Sequence, residues 1–379
     1  MKIGLVCPYD IAKGGGVQEI VRAMQAELER TGHEAYIITP EPKEPLPASR
    51  SRNIIFIGTS ADFNSPLHTT VQVSAGVHEA IDTMFAKQQF DLLHFHEPWV
   101  PMLSMQLLSR SNCVNVATFH AKLPETLMSR TVARAITPYA KSVLRYVHEL
   151  TAVSDAAADY LSRLTDRSVS IIPNGIDLSV YKRPRARKDN AKHKKILFVG
   201  RLEQRKGVKY LIRAFAHLHK ARPETTLLLV GDGPDRRKLE ILAANMGVAD
   251  SVQFLGYVDH QEKVRYLQAA DLFCSPALYG ESFGIVLLEA MATGLVTVAG
   301  DNPGYASVMK GLGAISLINP KHTAEFARRL DLLLHETDLR KLWRDWAQSE
   351  VPQYGYPQIV KQYEEVYKTA YERHSGSLL

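Results

Sequence analysis

Glu281 and Glu289 stand eight residues apart in Gly280-Glu-Ser-Phe-Gly-Ile-Val-Leu-Leu-Glu-Ala-Met-Ala-Thr-Gly294, a run otherwise apolar or small. Read as a helix, an eight-residue step is just over two turns. Both carboxylates then fall near one face, roughly 12 Å apart along the axis. A carboxylate inside an apolar helix is costly unless it meets a partner. Two readings follow. Either backbone groups or arginines satisfy the pair, or the two glutamates line a cleft and hold a hydroxyl-rich ligand at two depths.

Other residues of useful chemistry sit in loops. Gly200-Arg-Leu-Glu-Gln-Arg-Lys-Gly207 follows a β-branched run and precedes an amphipathic one, with Arg201 and Lys206 flanking the turn. Fixed cations beside a helix N-terminus suit a diphosphate, arginine as a fork and lysine as a point charge. Gly14-Gly-Gly-Val-Gln18 opens the first helix, and Gly15 and Gly16 let backbone N–H groups approach an anion closely. As a dinucleotide fingerprint it fails, because Glu19 occupies the third glycine position. His94 and His96 share one strand face, which admits a metal reading, but no third ligand stands at useful spacing. His120 follows another strand, at a carboxyl end. Asp259 and Lys263 occupy a later loop where a nucleoside contact is one reading and a solvated turn the other. Pro173-Asn-Gly-Ile-Asp177 and Gly231-Asp-Gly-Pro234 read as turns.

The elements that must position these groups alternate. Ile3–Cys7, Ala35–Thr39, Ile54–Ile57, Leu92–Phe95, Val114–Phe119, Glu149–Ala152 and Ser170–Ile172 read as strands. Val17–Arg30 reads as a helix, as does a stripe of Val73, Val77, Ile81, Met84 and Phe85. After a basic segment the alternation restarts with strands at Lys195–Val199, Thr226–Val230, Val252–Phe254, Leu272–Cys274, Val296–Val298 and Ala314–Leu317. Such alternation means parallel sheets with right-handed crossovers. The expected architecture is therefore α/β: two doubly wound Rossmann-like domains, 1–180 and 181–355, facing a central cleft, with a hinge near 177–194. A terminal helix over about 356–379 should cross back onto the first domain. Ligands of such sheets bind outside the carboxyl ends of the strands.

Composition narrows the partners. The formal net charge is +6, yet residues 182–195 hold eight lysines and arginines against Asp189 alone. The body is thus close to neutral and lacks the aromatic-interleaved basic face that nucleic acid needs. Three scattered cysteines, Cys7, Cys113 and Cys274, fit a reducing cytoplasm rather than a disulfide framework. No apolar run reaches membrane-spanning length.

With these motifs in place, the chain resembles the retaining group-one glycosyltransferases of the GT-B fold over nearly its whole length. The resemblance rests on Gly-Gly-Val-Gln at 15–18, His-Phe-His-Glu-Pro at 94–98, Thr-Phe-His at 118–120, Pro-Asn-Gly-Ile-Asp at 173–177, Gly-Arg-Leu at 200–202 and Glu-Ser-Phe-Gly…Glu at 281–289. Within that family the motifs look most like those of bacterial phosphatidylinositol mannosyltransferases. This implies GDP-mannose as donor, a membrane lipid such as phosphatidylinositol as acceptor, and no required cofactor or metal.

The resemblance also implies roles. Arg201 and Lys206 would hold the donor diphosphate, Glu281 the donor-sugar hydroxyls and Glu289 the ribose. Asp259, Lys263, Phe283, Gly284 and Ile285 complete the donor side. His120 would lie beside the reacting sugar, Gly15 and Gly16 would bring backbone to the phosphate, and Gln18 would face the acceptor. Cations at the leaving diphosphate oppose its developing charge. No carboxylate is obviously placed as a nucleophile, which favours same-face attack by the acceptor.

Three rivals remain: a sugar-nucleotide epimerase on the same scaffold, a nicotinamide oxidoreductase lacking its fingerprint, and a non-catalytic sugar-nucleotide-binding module. A UDP-glucose or UDP-N-acetylglucosamine donor is the alternative within the class. The polar face beside the apolar stripe, His78, Glu79 and Asp82, is not cationic. Membrane association is therefore expected to be weak, peripheral and carried by the basic linker, or the acceptor is not phosphatidylinositol.

Overall fold

The computed structural model describes residues 1–46, 52–64, 70–120, 137–182 and 193–377. The chain forms two compact units, Met1–Gly175 with Tyr356–Leu379, and Ile176–Gly355. The basic segment from 183 to 192 lies outside the described residues. Of its flanks, Lys194 and Lys195 are not linker at all, because they begin a strand (Lys194–Val199). Lys194 is buried, with Nζ 3.8 Å from Asp271 Oδ1.

The first unit is built on a seven-stranded parallel sheet of order β3-β2-β1-β6-β7-β8-β9. Its strands are β1 (Lys2–Val6), β2 (Glu34–Thr39), β3 (Ile54–Phe56), β6 (Leu92–His96), β7 (Val114–Phe119), β8 (Glu149–Ala152) and β9 (Val169–Ile171). Ile3, Leu5, Phe95, Val116 and Phe119 are fully buried, as the strands of a sheet covered on both faces must be. Between β3 and β6 an antiparallel hairpin intervenes, β4 (Thr59–Asn64) and β5 (Thr70–Ala75).

That hairpin corrects the expected apolar stripe. Val73 lies in β5, and the helix begins only at His78 (His78–Gln88) with Val77, 67% exposed, as its N-cap. The helix buries Ile81 and Met84 alone. On its outer side Asp82 pairs with Arg110 at 3.3 Å.

The terminal helix Tyr356–His374 buries Ile359, Val360, Tyr363, Tyr367 and Ala370, a single face at helical spacing. Its Tyr367 hydroxyl lies 2.6 Å from His94 Nδ1, and its Glu364 accepts from Thr31 Oγ1 at 2.6 Å.

The second unit repeats the plan with six parallel strands of order β12-β11-β10-β13-β14-β15. These are β10 (Lys194–Val199), β11 (Thr225–Val230), β12 (Val252–Gly256), β13 (Leu272–Ser275), β14 (Thr297–Gly300) and β15 (Leu317–Ile318). The last is only two residues long. Of the expected strand Ala314–Leu317, residues 314–316 belong instead to a 3₁₀ helix, Gly311–Ser316. In both sheets the strand order reverses beside the first strand, between β1 and β6 and between β10 and β13. Loops leaving the carboxyl ends at such a reversal form the natural ligand crevice of an open α/β sheet.

No helix of the described residues is long and apolar enough to cross a membrane.

Candidate functional site

In the second unit, the loop after β10 carries the cations. Lys206 Nζ lies 2.8 Å and Arg205 Nη1 2.7 Å from the same Glu281 oxygen, Oε1. Arg205 is held in turn by Glu203, whose Oε1 is 2.6 Å from Arg205 Nε. Arg201 is looser: its Nε is 3.8 Å from Glu203 Oε2 and its side chain is 51% exposed. This leaves its guanidinium the accessible cation of the loop. The loop closes on Gly207, where φ is 69° and a Cβ would stand 2.1 Å from the Pro276 carbonyl oxygen. Only glycine fits there.

The helix expected to carry both glutamates carries one. It runs Ile285–Ala292, so Glu289 is helical and Glu281 precedes it in the loop after β13. Positive φ at Gly280 (75°) and Gly284 (120°) breaks any continuous helix across 280–284. A Cβ on Gly284 would also meet Tyr305 at 2.8 Å. The two-turn spacing argument therefore does not apply to this pair.

Each carboxylate nevertheless has a similar setting. Glu289 is buried, and Lys263 Nζ at 2.6 Å and the Tyr181 hydroxyl at 2.8 Å both reach its Oε1. Glu281 likewise receives its cations on Oε1. In neither residue does Oε2 take a hydrogen bond from the described residues. A carboxylate anchored through one oxygen presents the other to a ligand hydroxyl in a fixed orientation.

The remaining donor-side candidates divide. Lys263 faces Glu289 rather than open solvent. Asp259 is the N-cap of the helix His260–Ala269, its Oδ1 accepting from Glu262 N at 2.8 Å, which is a structural duty. Phe283 is 4% exposed and packs edge-on against Tyr354, so its side chain belongs to the core. Gly284 and Ile285 open the helix, where first-turn N–H groups lack intrahelical partners.

In the first unit, Gly15 is extended and Gly16 begins the helix Gly16–Arg30. A Cβ on Gly15 would lie 2.3 Å from Gln18 Oε1, so the Gln18 side chain folds over that glycine. Its Nε2 donates to the Asp10 carbonyl at 3.5 Å.

His120 leaves β7 with its backbone N–H donating to Glu97 Oε1 at 2.6 Å. Glu97, buried with φ of 53°, also accepts from Trp99 Nε1 on its other oxygen at 3.1 Å. The His120 ring stacks on His96, with Nε2 2.9 Å from His96 Nδ1. Burial pushes His120 down to about 4, against a smaller opposing pull from the Asn174 side chain, and holds His96 well below the ordinary range.

His94 is different. Its two ring nitrogens are taken by Tyr367 and by Thr118 Oγ1, each at 2.6 Å, and burial lowers it to about 3. It is a structural histidine of the sheet, and the metal reading loses it.

Sequence reasoning missed Arg205, Glu97, Tyr181 and the His96–His120 contact. Arg205 stood inside the quoted turn beside Lys206, so only its pairing was hidden.

Comparison with known proteins agrees with this fold. Residues 14–180 match the family described as Glycosyltransferase Family 4, and residues 182–350 match Glycosyl transferases group 1. Phosphatidyl-myo-inositol mannosyltransferase of Mycolicibacterium smegmatis is 31% identical over 97% of this chain and 94% of its own length. Alpha-monoglucosyldiacylglycerol synthase of Streptococcus pneumoniae is 27% identical over 80% of this chain and 72% of its own. Among solved structures, sucrose-phosphate synthase from Thermosynechococcus elongatus superposes with a TM-score of 0.75 at 23% identity, covering 98% of this chain and 99% of that one. Anabaena HepE in complex with UDP-glucose gives 0.75 at 21%, covering 97% and 100%. The expected GT-B architecture is the one observed, and the chain belongs to the group 1 family of GT-B glycosyltransferases.

Proposed function

We propose that this glycosyltransferase moves mannose from GDP-mannose, with retention of anomeric configuration, to a hydroxyl of a membrane lipid of the phosphatidylinositol type. The observation that supports mannose as the sugar and phosphatidylinositol as the acceptor is the 31% identity, over nearly the whole chain, to a phosphatidyl-myo-inositol mannosyltransferase. In this reading Arg201 and Lys206 oppose the charge that builds on the leaving diphosphate. Glu281 Oε2 accepts from a donor-sugar hydroxyl, Glu289 Oε2 from the ribose, and His120 stands at the reacting sugar. Gly15 and Gly16 offer backbone N–H groups to the phosphate, and Gln18 faces the acceptor.

Same-face attack by the acceptor accounts for retention without a covalent intermediate, and the cations need no metal to act. The enzyme would work at the cytoplasmic face of the membrane through weak peripheral contact. A second reading, glucosyl transfer to a diacylglycerol-type lipid, draws on the pneumococcal relative.

The test is nucleotide release from GDP-mannose, UDP-glucose and UDP-N-acetylglucosamine, with and without bacterial lipid extract, followed by anomer analysis of the product. GDP release stimulated by phosphatidylinositol is the expected result. UDP release with GDP-mannose inert would overturn the donor.

A further inference from the structure

β6 and β7 run parallel, and the last residues they pair are His96 and Thr118. Beyond them Glu97 N still donates to the Thr118 carbonyl at 3.0 Å. The bonds of a parallel ladder are evenly spaced and alternate in direction between the strands. The next one would therefore run from His120 N to the Glu97 carbonyl. The chain makes a different bond there. Glu97 has a φ of 53°, in the left-handed region, and its carbonyl accepts instead from Val100 N at 3.0 Å. The His120 N–H donates to the Glu97 side chain, 2.6 Å from Oε1.

The carboxylate thus stands in for the carbonyl of its own residue. Its second oxygen, Oε2, accepts from Trp99 Nε1 at 3.1 Å, and the Trp99 ring lies against Phe119 with centroids 3.8 Å apart. One buried side chain thereby joins the turn after β6 to the first residue beyond β7. Holding two N–H groups takes an acceptor on both arms, which a carboxylate has and an amide has not. A left-handed residue other than glycine is costly and persists only where its surroundings over-determine it, commonly at functional sites. Here that backbone turns the carbonyl away and leaves its place to the carboxylate. The consequence falls on His120, whose ring stacks on that of His96.

We propose that Glu97 is a positioning residue for glycosyl transfer: its carboxylate extends the β6–β7 ladder by one bond and so fixes where His120 leaves the sheet to meet the sugar. This rests on the placement of His120 at the reacting sugar. Glu97 itself touches no ligand in this scheme. A misplacement of about 1 Å is enough to cost on the order of 10²-fold in rate.

The test combines spectroscopy of one amide with kinetics. In protein labelled with ¹⁵N-histidine, the His120 amide signal is assigned by its loss in His120→Ala. A short bond to a carboxylate holds an amide proton downfield, so the signal is expected to move upfield in Glu97→Met, which keeps the bulk without the acceptors. Turnover of that variant is expected to fall about 10²-fold, with KM for the donor little changed because the diphosphate and ribose contacts are assigned to the second unit. Glu97→Gln offers one oxygen to two N–H groups. Its loss should be about tenfold smaller in a Trp99→Phe background, where only the His120 N–H remains to be met. An unmoved amide signal in Glu97→Met, or equal losses from Glu97→Gln in both backgrounds, would overturn the proposal. Unchanged turnover in His120→Ala would remove His120 from the reaction and the proposal with it, while the donor and acceptor assignment is read separately by the nucleotide-release screen.

Discussion

Lys263 Nζ lies 2.6 Å from Glu289 Oε1, with the two side chains 19% and 7% exposed. Lys263, in the first turn of the helix His260–Ala269, thus anchors the glutamate of a second helix, and the Tyr181 hydroxyl shares the same oxygen. Removing one partner leaves the other mostly buried and unpaired. Lys263→Met and Glu289→Gln should each destabilise the fold. The double variant should lose less than the sum, by about 0.5–3 kcal/mol of coupling. A double-mutant cycle in urea, with strictly additive losses, would contradict the pairing.

At the other glutamate the expectation concerns rate. Glu281→Gln and Arg201→Ala should each lower turnover by roughly 10²-fold or more with the fold intact. Arg205→Ala should also slow the reaction, because it removes one of the two cations that hold Glu281 Oε1 and leaves Lys206 alone there. Near-normal turnover in a purified, folded variant would remove that residue from the site.

Acid should destabilise the first unit through its histidines. An unfolded chain protonates each histidine near pH 6.5, as its ordinary value requires. Folded His94 waits until about 3, His120 until about 4, and His96 stays well below the ordinary range. Below pH 6.5 the unfolded state therefore binds more protons. Their contribution is complete above that pH and is lost progressively as pH falls toward the folded values, by up to about 1.4 kcal/mol per pH unit for each ring. Urea unfolding at pH 7, 6 and 5 should show the decline, and His120→Asn should make it shallower. An unchanged slope in that variant would mean His120 protonates in the folded chain.

Membrane contact should be weak. The helix His78–Gln88 offers Glu79, and Asp82 is already paired with Arg110, so anionic lipid gains little there. Each basic residue near such a surface is worth about 1 kcal/mol. Sedimentation with vesicles containing phosphatidylinositol should therefore show weak, salt-sensitive binding that disappears when the lysines and arginines between 182 and 192 are neutralised. Tight binding that survives neutralisation would show that the first unit docks by itself.

Much of this was legible from residue order. Alternating apolar runs marked the two sheets because parallel strands are buried on both faces, and most expected strands fell within a residue or two of those observed. The Glu281 helix was misplaced because Gly280 and Gly284 look unremarkable in sequence, while the groups packed against them, Arg205 at Gly280 and Tyr305 at Gly284, are distant in the chain. Val73 was assigned to a helix because it stands eight residues before Ile81, in phase with the helical stripe, although it belongs to β5. His94 looked available to a ligand because its partner, Tyr367, is 273 residues away. Partners that distant leave no local trace.

That last contact bears on the order in which the chain is made. The first unit is interrupted after Gly175 and resumes at Tyr356. At ordinary rates of synthesis, about 5–20 residues per second, the intervening stretch of about 180 residues occupies roughly 10–35 s. Throughout that interval the face of β6 and β7 that receives Tyr363 and Tyr367 is without its cover. A nascent chain thus has its second unit whole before its first, and a chain stopped short of residue 356 leaves the His94 ring and the Thr118 hydroxyl without their tyrosine partners. Ribosome-bound intermediates should accordingly attract chaperones at the first unit long after that unit has left the exit tunnel.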